Sequence, residues 1–399
     1  MRGVLQSGIA LGRLHVTFPD GSTGSFGPGN GPDAHVALTD PGLPRRILLN
    51  PQMALGEGYM DGALIFPSDA DVRQFLQIAA ASSVGGRLPL PMRVAHRMRV
   101  SAKALMQWNT LGASHRRVKH HYDIPDEFYA LFMEQDLQYT CAYYRNDSDT
   151  LEQAQAAKMD HIAAKLCLRP GLRVLDIGCG WGGLALRLAR LHGVHVTGVT
   201  LSTVQLNAAR KRAFDMGLSD RVEFRLQDYR HVPDRFDRVV SVGMLEHVGV
   251  PQYQTYFNKI HSLLHPDGIG LIHFIGRHTP PRVLSPWFQK YIFPGGYSPA
   301  FSEVVPRVER SGLVVTDLEV WRGHYERTLR HWQDRFRANE PVVRALFDDR
   351  FIRMWWWYLI ASEVSFTHMG HVLFQMQIAH RADAVPRTRD YLYADDTRV

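Results

Sequence analysis

The chain has 399 residues, 45% of them hydrophobic and 21% charged, which excludes wholesale disorder and allows more than one domain. Its formal net charge of +7 favours an anionic partner such as nucleic acid, a phospholipid surface or an acidic substrate. The three cysteines are too few for a disulfide scaffold, and no apolar run is long enough to span a bilayer, so we expect a cytoplasmic protein whose membrane contact is peripheral.

The first 85 residues predict a small domain of short strands and turns. Gly and Pro punctuate this region, most densely in GSTGSFGPGNGPD (21–33). The apolar runs HVALTD (35–40) and RRILLN (45–50) are short enough to predict strands. We place the boundary of this N-terminal domain at residue 85.

A basic segment follows, because residues 72–122 contain no Asp or Glu. The same interval carries nine basic side chains: Arg73, Arg87, Arg93, Arg97, Arg99, Lys103, Arg116, Arg117 and Lys119. One interpretation is a solvated linker, which would occupy residues 86–122. The other is a docking surface for anionic lipid or nucleic acid, and charge alone leaves both open.

From residue 150 the pattern changes to alternating helices and strands. An amphipathic helix (151–168) ends at Pro170-Gly171, and the strand RVLDIG (173–178) follows. Further strands are predicted at 194–200, 221–228, 236–244 and 268–276, with helices between them. This alternation predicts parallel pairing in a doubly wound α/β sheet, which we assign to a catalytic domain over 123–399. Ligands of such sheets bind beyond the carboxyl ends of the strands.

The segment VLDIGCGWGG (174–183) breaks a strand into a glycine-rich turn. Gly178, Gly180 and Gly183 have the G-x-G-x-x-G spacing, which permits close approach of either NAD or S-adenosylmethionine. An NAD site also needs an acid about 20 residues further on. No acid lies between Asp176 and Asp215, which argues against NAD and is unusual even among methyltransferases.

This loop, together with GVTLS (198–202) and Gln205, resembles the cyclopropane-fatty-acyl-phospholipid synthase family and its mycolic-acid relatives. Other segments match the family in order: HHYDIPDEFYALFM (120–133), LQYTCAYY (137–144), VGMLEHVG (242–249), HFIGR (273–277), YIFPGGYSP (291–299) and HYERTLRHW (324–332). DGALIF (61–66) fits the family's N-terminal domain. The resemblance covers most of the chain. It implies a Rossmann-like methyltransferase sheet with a smaller N-terminal lipid-binding α+β domain.

The resemblance also implies a set of residues around S-adenosylmethionine. They are Tyr139, Thr140, Asp176, Gly178, Gly180, Trp181, Thr200, Leu201, Ser202, Gln205, Asp228 and Tyr229. Within that set, Tyr139 and Thr140 would close over the cofactor, while Asp228 and Tyr229 would lie near the adenine. The Thr-Leu-Ser segment and Gln205 would take the place of the usual acid.

The implied reaction is methyl transfer to a cis double bond of a phospholipid acyl chain, with bound bicarbonate as the base that closes the ring. The bicarbonate ligands would be Cys141, Glu246, His273, Tyr325 and the backbone of Ile275. Each of these alone has an ordinary structural interpretation, such as a buried small thiol or a core histidine. Their joint occurrence at family positions favours the functional one.

Two details concern the late part of the chain. Many relatives carry a cysteine, once proposed as a nucleophile, where this sequence has Ser362, and this difference favours the bicarbonate route. The aromatic run at 355–358 predicts either core packing or the lining of an acyl channel.

Three other activities are compatible with a core of this kind. A related enzyme could make a methyl-branched lipid or methylate a small amine, although the N-terminal domain and basic segment favour a lipid. A nucleic-acid methyltransferase is disfavoured, since neither a base-reading motif nor an RNA module is recognisable. We therefore expect an anionic membrane surface with unsaturated acyl chains as partner, no nucleic acid, no metal and, by family precedent, a homodimer.

Overall fold

The computed structural model describes residues 1–84 and 124–393. The described residues form two compact units. The small-sheet unit contains 1–84, 282–294 and 329–371, and the large-sheet unit contains 124–281, 295–328 and 372–393. The predicted linker (86–122) lies outside the described residues, so its boundaries stay a prediction.

The small-sheet unit has a four-stranded sheet in the order β2-β1-β3-β4. The strands are β1 (Arg13–Thr17), β2 (Thr23–Phe26), β3 (Asp33–Leu38) and β4 (Leu64–Ile65). The helices before residue 85 are α1 (Arg2–Gly8), α2 (Leu43–Leu49), α3 (Pro51–Met60) and α4 (Asp69–Val84). Leu14 and Val16 are buried and the side chains between them are more exposed, as expected of a sheet covered on one face. The expected α+β organisation is confirmed.

One expected strand of this region is wrong. The segment RRILLN forms most of helix α2, which begins after Gly42. Pro44 stands in the first turn, where its fixed φ suits a helix and its missing N–H is not needed. Leu49 is 75% exposed, so the run is not a buried strand, and only Leu43 of the helix is buried.

The large-sheet unit has a seven-stranded sheet in the order β10-β11-β9-β8-β5-β6-β7. Its strands are β5 (Arg173–Ile177), β6 (His195–Thr200), β7 (Val222–Leu226), β8 (Phe236–Val242), β9 (Leu264–Arg277), β10 (Val314–Trp321) and β11 (His371–Ala379). Four neighbouring pairs are parallel: β5-β6, β6-β7, β5-β8 and β8-β9. Strands β10 and β11 pair antiparallel. This is the doubly wound α/β sheet that the sequence predicts. Strand β5 is central, so the glycine turn that follows it lies where the strand order reverses.

The remaining helices are α5 (Asp126–Ala130), α6 (Leu151–Lys165), α7 (Gly183–His192), α8 (Thr203–Asp215), α9 (Leu245–Val248), α10 (Tyr253–Leu263), α11 (Pro286–Tyr291), α12 (Phe301–Arg310), α13 (His324–Ala338), α14 (Glu340–Leu346) and α15 (Asp349–His368). Helix α6 begins with a capping box, in which Thr150 Oγ1 accepts the Gln153 N–H and Gln153 Oε1 accepts the Thr150 N–H. Besides its apolar side, α6 buries Gln155, Lys158 and Lys165 completely.

Helix α15 lies in the small-sheet unit and carries the aromatic run. All four of its aromatic side chains are buried: Trp355, Trp356, Trp357 and Tyr358. The Trp357 ring packs 5.3 Å from that of Tyr59 and 6.4 Å from that of Phe75. These contacts support core packing; lining of an acyl channel stays a prediction. Among the described residues, none of the helices combines the length and apolarity needed to cross a membrane.

Candidate active site

The glycine turn after β5 forms an open cradle. Gly178 and Gly180 have φ of +81° and +54°, a conformation that side-chain-bearing residues rarely adopt. A Cβ built on Gly180 would meet no atom within 4 Å, and one on Gly178 would first meet Met244 at 3.7 Å. The turn leads into α7, whose N-terminal amides have no partner within the helix. These features fit an adenosine-bearing ligand that approaches the backbone.

The end of β6 is polar but uncharged. Thr200 Oγ1 donates to Gln205 Oε1 over 3.1 Å, and both side chains are buried. Ser202 caps α8 by accepting the Gln205 N–H, and its own N–H donates to Thr200 Oγ1 over 3.2 Å. Leu201 stands between these two, half-buried. Thr200 and Gln205 therefore form a hydrogen-bonded pair where an NAD enzyme would place a carboxylate.

Asp176 on β5 is a buried acid with an unused oxygen. It is 2% exposed, and its Oδ2 has no hydrogen-bond partner among the described residues. Burial raises the pKa of Asp176 to about 7, although the Lys158 ammonium opposes that rise. A buried carboxyl oxygen beside the glycine cradle that has no partner among the described residues is consistent with a ligand that donates to it.

The two residues predicted to lie near the adenine, Asp228 and Tyr229, differ in their contacts: Asp228 is held by Arg230, and Tyr229 packs against another aromatic ring. Asp228 accepts the backbone N–H of Arg230 and also its guanidinium, with the shortest contact at 2.6 Å. Burial alone would raise the pKa of Asp228, but the hydrogen bonds from Arg230 hold it below its ordinary value. Tyr229 is 7% exposed and packs edge-on against Tyr256. A ligand at Asp228 would therefore share the carboxylate with Arg230.

Trp181 connects the glycine turn to helix α5. Its indole N–H donates to Asp126 Oδ1 over 2.8 Å, and its ring lies 5.1 Å from that of Tyr129. Tyr129 in turn packs 5.4 Å from Tyr139. Two of the predicted cofactor residues, Tyr139 and Trp181, are thus brought to the same aromatic cluster.

Glu246 lies in α9, just beyond the carboxyl end of β8. Its Oε1 accepts the Ile275 N–H over 2.6 Å, while its Oε2 is buried without a hydrogen-bond partner among the described residues. Burial raises the pKa of Glu246 to about 7, against the lowering effect of the bond from Ile275. Near neutral pH this side chain can therefore exist in either protonation state. The Ile275 amide, expected to bind an anion directly, orients Glu246 in this structure.

His273 lies on the neighbouring strand β9, two residues before Ile275, and is 1% exposed. The Gln375 amide nitrogen donates to its Nδ1 over 3.2 Å, so the ring proton is on Nε2. That Nε2–H has no hydrogen-bond partner among the described residues. Burial holds the pKa of His273 well below its ordinary value, so the ring is neutral. The His273 carbonyl accepts the Gly243 N–H over 2.8 Å, which ties β9 to the loop that leads to Glu246.

Cys141 and Tyr325 are linked through the start of α13. Cys141 is completely buried, and burial raises the pKa of its thiol, so the thiol stays protonated. The next N–H, of Ala142, donates to Thr328 Oγ1 over 3.0 Å, and the Tyr144 N–H donates to His324 Nδ1 over 3.1 Å. Tyr325 is 9% exposed and follows His324 directly.

Turn 137–144 also approaches Glu246 and His273. A Cβ built on Gly243 would lie 3.1 Å from the Thr140 side chain. Gly243 also bonds to the His273 carbonyl and precedes Glu246 by three residues. The contacts therefore bring the turn, Glu246 and His273 to one edge of the sheet. Two neighbours of Tyr325 on α13, His324 and Thr328, bond to the same turn.

Sequence reasoning missed several polar residues at this edge. Gln155, Lys158 and Gln375 are each 0% exposed and contact the predicted site residues. The Trp321 indole and the His273 ring form a T-shaped pair, with ring centroids 5.3 Å apart. A signal for the first two was available: Gln and Lys three residues apart on a helix lie on one face. Neither Gln375 nor Trp321 belongs to a quoted motif.

One group of metal-ligand side chains lies close together in the described part of the chain: His15, Asp33 and His35, on the small sheet. The two imidazoles stack with 9° between their planes and centroids 4.4 Å apart. Stacked rings direct their in-plane lone pairs in parallel, so this arrangement is not set to coordinate one ion. It carries no metal assignment.

Comparison with known proteins identifies the family. A family model described as mycolic acid cyclopropane synthetase matches residues 110–376, and a model described only as a domain of unknown function matches residues 6–83. Cyclopropane-fatty-acyl-phospholipid synthase of Escherichia coli K12 is 37% identical over 343 residues, covering 86% of this chain and 87% of that one. A tuberculostearic acid methyltransferase of Mycobacterium tuberculosis is 33% identical, over 88% and 84% of the two chains.

A solved mycolic acid cyclopropane synthase complexed with S-adenosylhomocysteine superimposes with a TM-score of 0.63 and 31% identity, covering 66% of this chain and 97% of that chain. The glycine cradle, the uncharged end of β6 and the Asp176 Oδ2, which has no partner in the described part of the chain, agree with the same cofactor class. The chain belongs to the mycolic acid cyclopropane synthetase family and is an S-adenosylmethionine-dependent methyltransferase.

Proposed function

We propose that this protein is a cyclopropane fatty acid synthase that acts on unsaturated acyl chains of phospholipids, with bicarbonate as base. The observation that carries the proposal is a pair of buried polar atoms without partners among the described residues, Glu246 Oε2 and His273 Nε2. Both lie on elements at the carboxyl edge of the sheet, one strand apart. Buried polar groups are normally paired, so two unpaired ones together indicate a ligand.

The cofactor side of the site would hold S-adenosylmethionine at the glycine cradle. Bound there, it supplies an electrophilic methyl group, and loss of that methyl removes its positive charge. The residues around the cradle bind and orient: Asp176 would accept from the cofactor, and Thr200 and Gln205 would contact its sugar without adding charge. An alkene is a weak nucleophile, so alignment of the two reactants provides much of the acceleration.

The proton-accepting side would hold bicarbonate between Glu246 and His273. Bound there, it supplies a small proton acceptor that an acyl channel can accommodate. His273 would donate its Nε2–H to one oxygen, and Glu246, with a pKa near 7, can share a proton with another. Cys141 and Tyr325 would add neutral donors. The Ile275 amide fixes Glu246 for this role through the 2.6 Å bond.

Bicarbonate dependence tests this proposal directly. Wild-type protein assayed in carbonate-free buffer should lose most of its rate, and added bicarbonate should restore it. Acetate at the same ionic strength is the matched control, because it has a carboxylate but no proton to share with Glu246. Full activity without bicarbonate, together with a fully active Glu246→Gln, would show that the proton leaves by another route.

We also propose that the acyl chains are reached at an anionic membrane surface, with the small-sheet unit and the basic segment as the lipid-binding region. The support is the acid-free interval 72–122, most of which lies outside the described residues. Vesicle binding should need acidic headgroups and weaken with salt. Replacement of Arg93, Arg97 and Arg99 by Gln should lower binding and vesicle activity together. If vesicle binding changes neither with salt nor on replacement of these arginines, the segment is only a linker.

A methyl-branched lipid is the second candidate product. It is favoured by the similarity to a tuberculostearic acid methyltransferase, which is close to that of the cyclopropane synthase. Mass spectrometry of lipids from an expressing host with unsaturated membranes separates the two products. Both gain a carbon atom from the methyl donor, but mild hydrogenation adds hydrogen to a branched chain that keeps its double bond and leaves the cyclopropane ring unchanged.

We further propose a homodimer, which sedimentation would test.

A further inference from the structure

Helix α6 buries polar side chains that the proposed chemistry does not use. Gln155 and Lys158 are both 0% exposed and lie on the same face of the helix, three residues apart. Removing an ammonium group from water is costly unless it is hydrogen-bonded. The partners of Lys158 therefore indicate what its burial achieves.

Those partners all belong to the active-site turn. Lys158 Nζ donates to Gln138 Oε1 over 2.7 Å and to Thr140 Oγ1 over 2.9 Å. Gln155 Nε2 donates to the carbonyls of the same two residues, over 3.2 and 2.9 Å. One helix face thus fixes the backbone and the side chains of Gln138 and Thr140, on either side of Tyr139 and directly before Cys141.

The start of the turn is also held in an unfavourable conformation. Leu137 has φ of +54°, a region in which a residue with a side chain is strained. The carboxylate of Glu134 accepts the N–H groups of Asp136 and Gln138 over 2.6 and 2.7 Å. Such strain persists only where surrounding contacts over-determine the backbone, and it is concentrated at functional sites.

Asp136, the residue directly before this turn, is in contact with the cofactor loop. A Cβ on Gly183, the first residue of α7, would clash with the Asp136 carbonyl oxygen. The Arg212 guanidinium donates to the carbonyl of Trp181 over 2.9 Å and to that of Asp136 over 3.3 Å. Fixing the turn therefore also fixes its position against the glycine cradle.

Charge supports the same arrangement. Burial lowers the pKa of Lys158 to about 8, while Glu134, Cys141, Asp136 and Asp176 act in the opposite direction and favour the ammonium form. The ammonium in turn opposes the rise in the pKa of Asp176. Lys158 is thus coupled to the acid beside the cradle as well as bonded to the turn.

We propose that Gln155 and Lys158 are positioning residues for methyl transfer, which hold turn 138–141 in one geometry against the cofactor loop and the proton-accepting pocket. The inference rests on the proposed function for the roles of Tyr139, Thr140 and Cys141. Neither residue touches reacting atoms; each acts through the turn.

The test compares two buried lysines of one helix. Lys158→Met should lower kcat about 100-fold, since a displacement of about 1 Å in a reacting geometry costs this much. The Kd of this variant for S-adenosylmethionine should rise about tenfold, while its KM for the lipid should stay within about twofold. A variant whose whole fold was destabilised would not change one of these constants and spare the other. Lys165→Met is the matched control, assayed under conditions in which both variants are folded: Lys165 is also 0% exposed on α6, but it pairs with Asp317 and Glu319, so this variant should keep wild-type kcat.

A double-mutant cycle isolates the contact. Gln138→Leu removes an acceptor of Lys158 from the other side, so combining it with Lys158→Met should lower kcat no further than the worse single variant. If Lys158→Met does not fold, Gln138→Leu and Thr140→Val cut the same bonds with the lysine in place, and both should lower kcat. Additive effects, equal losses for the two lysine variants, or an unchanged kcat would overturn the inference.

The outcome is separable from that of the proposed function. If the wild type transfers no labelled methyl to lipid, the proposed function fails, but cofactor binding can still be measured by calorimetry. The inference then stands if Lys158→Met weakens S-adenosylmethionine binding about tenfold relative to Lys165→Met, and it falls if the two variants bind equally.

Discussion

Two clusters of buried polar residues in the large-sheet unit contain similar groups but use them differently. In the ion cluster, Lys165 Nζ lies 2.9 Å from Asp317 and 2.7 Å from Glu319, and His161 Nε2–H donates to the same Glu319 oxygen. In the catalytic corner, Glu246 and His273 are 8% and 1% exposed, yet each keeps one polar atom without a partner among the described residues.

The difference is visible in their acids. Burial would raise the pKa of both, but in Glu319 the bond from His161 and the charge of Lys165 outweigh it, and the pKa falls well below its ordinary value. In Glu246 the backbone hydrogen bonds from Ile275 and from Glu246 itself do not outweigh burial, and the pKa rises to about 7. Complete pairing gives a fixed charge that serves the fold. Incomplete pairing leaves a group that can exchange a proton.

The largest expected effect is on stability, at the ion cluster. Lys165→Met leaves two carboxylates without their shared cation and should lower the free energy of unfolding by about 3–5 kcal/mol. Urea unfolding measures it. Lys211→Met is the control, since the Lys211 side chain is 75% exposed and pairs with exposed Asp215, so less than about 1 kcal/mol is expected. Equal effects of the two variants would remove the distinction between paired and surface charges.

Glu246→Gln should have the opposite effect on stability. A carboxyl whose folded pKa is raised contributes stability below its unfolded pKa and loses it as pH rises through the folded value of about 7. At about 1.4 kcal/mol per pH unit, the variant should gain up to about 3 kcal/mol over wild type between pH 4.5 and 7 and keep it above. Unfolding at pH 5 and pH 8 tests this, with exposed Glu127→Gln as control. A gap that does not widen with pH would contradict the assignment.

Activity should respond at the catalytic corner. His273→Ala removes the unpaired Nε2–H and should lower kcat on the order of 100-fold, the usual cost of losing one oriented donor. Calorimetry should still show wild-type affinity for S-adenosylmethionine. His195→Ala, at an exposed position on β6 of the same sheet, should leave both unchanged. Near-normal turnover of His273→Ala would make this histidine a core residue.

Cys141→Ser should have the smallest effect. Burial keeps the thiol protonated, so it can act only as a neutral donor, which a serine hydroxyl replaces. We expect less than a tenfold loss of kcat. A loss of more than about 100-fold, with the protein folded, would indicate that the sulfur itself reacts and would revive nucleophilic catalysis. Ser362, half-buried on α15, bonds through its carbonyl to Ser365 and offers no thiol for such a role.

Much of the fold could be predicted because its pattern is local. Alternation of apolar strands with helices specified the doubly wound sheet, and Gly178 and Gly180 marked the cradle through their required φ. The strand predicted at 45–50 is wrong because a short apolar run does not distinguish a strand from a helix. Gly42 and Pro44 favour the start of a helix at this point.

The site was predictable only as separate motifs. Glu246 and His273 were found by resemblance, but the bond from Ile275 to Glu246 depends on the register between α9 and β9, which no local pattern contains. Lys158 was missed because a lysine on an amphipathic helix is normally assigned to the solvent side. Its burial follows from tertiary contacts with a turn 18 residues earlier in the chain.

The buried amine of Lys158 also provides a chemical reporter. With a pKa near 8, a substantial fraction of it is an unprotonated nucleophile under mildly alkaline conditions, yet its 0% exposure keeps acylating reagents away. Modification at this position can therefore proceed only while the turn has moved off the helix. The rate at which a small acetylating reagent labels Lys158, measured by peptide mass spectrometry, would report how often the turn moves away from the helix. A lower labelling rate with bound cofactor would show that the cofactor holds the turn closed.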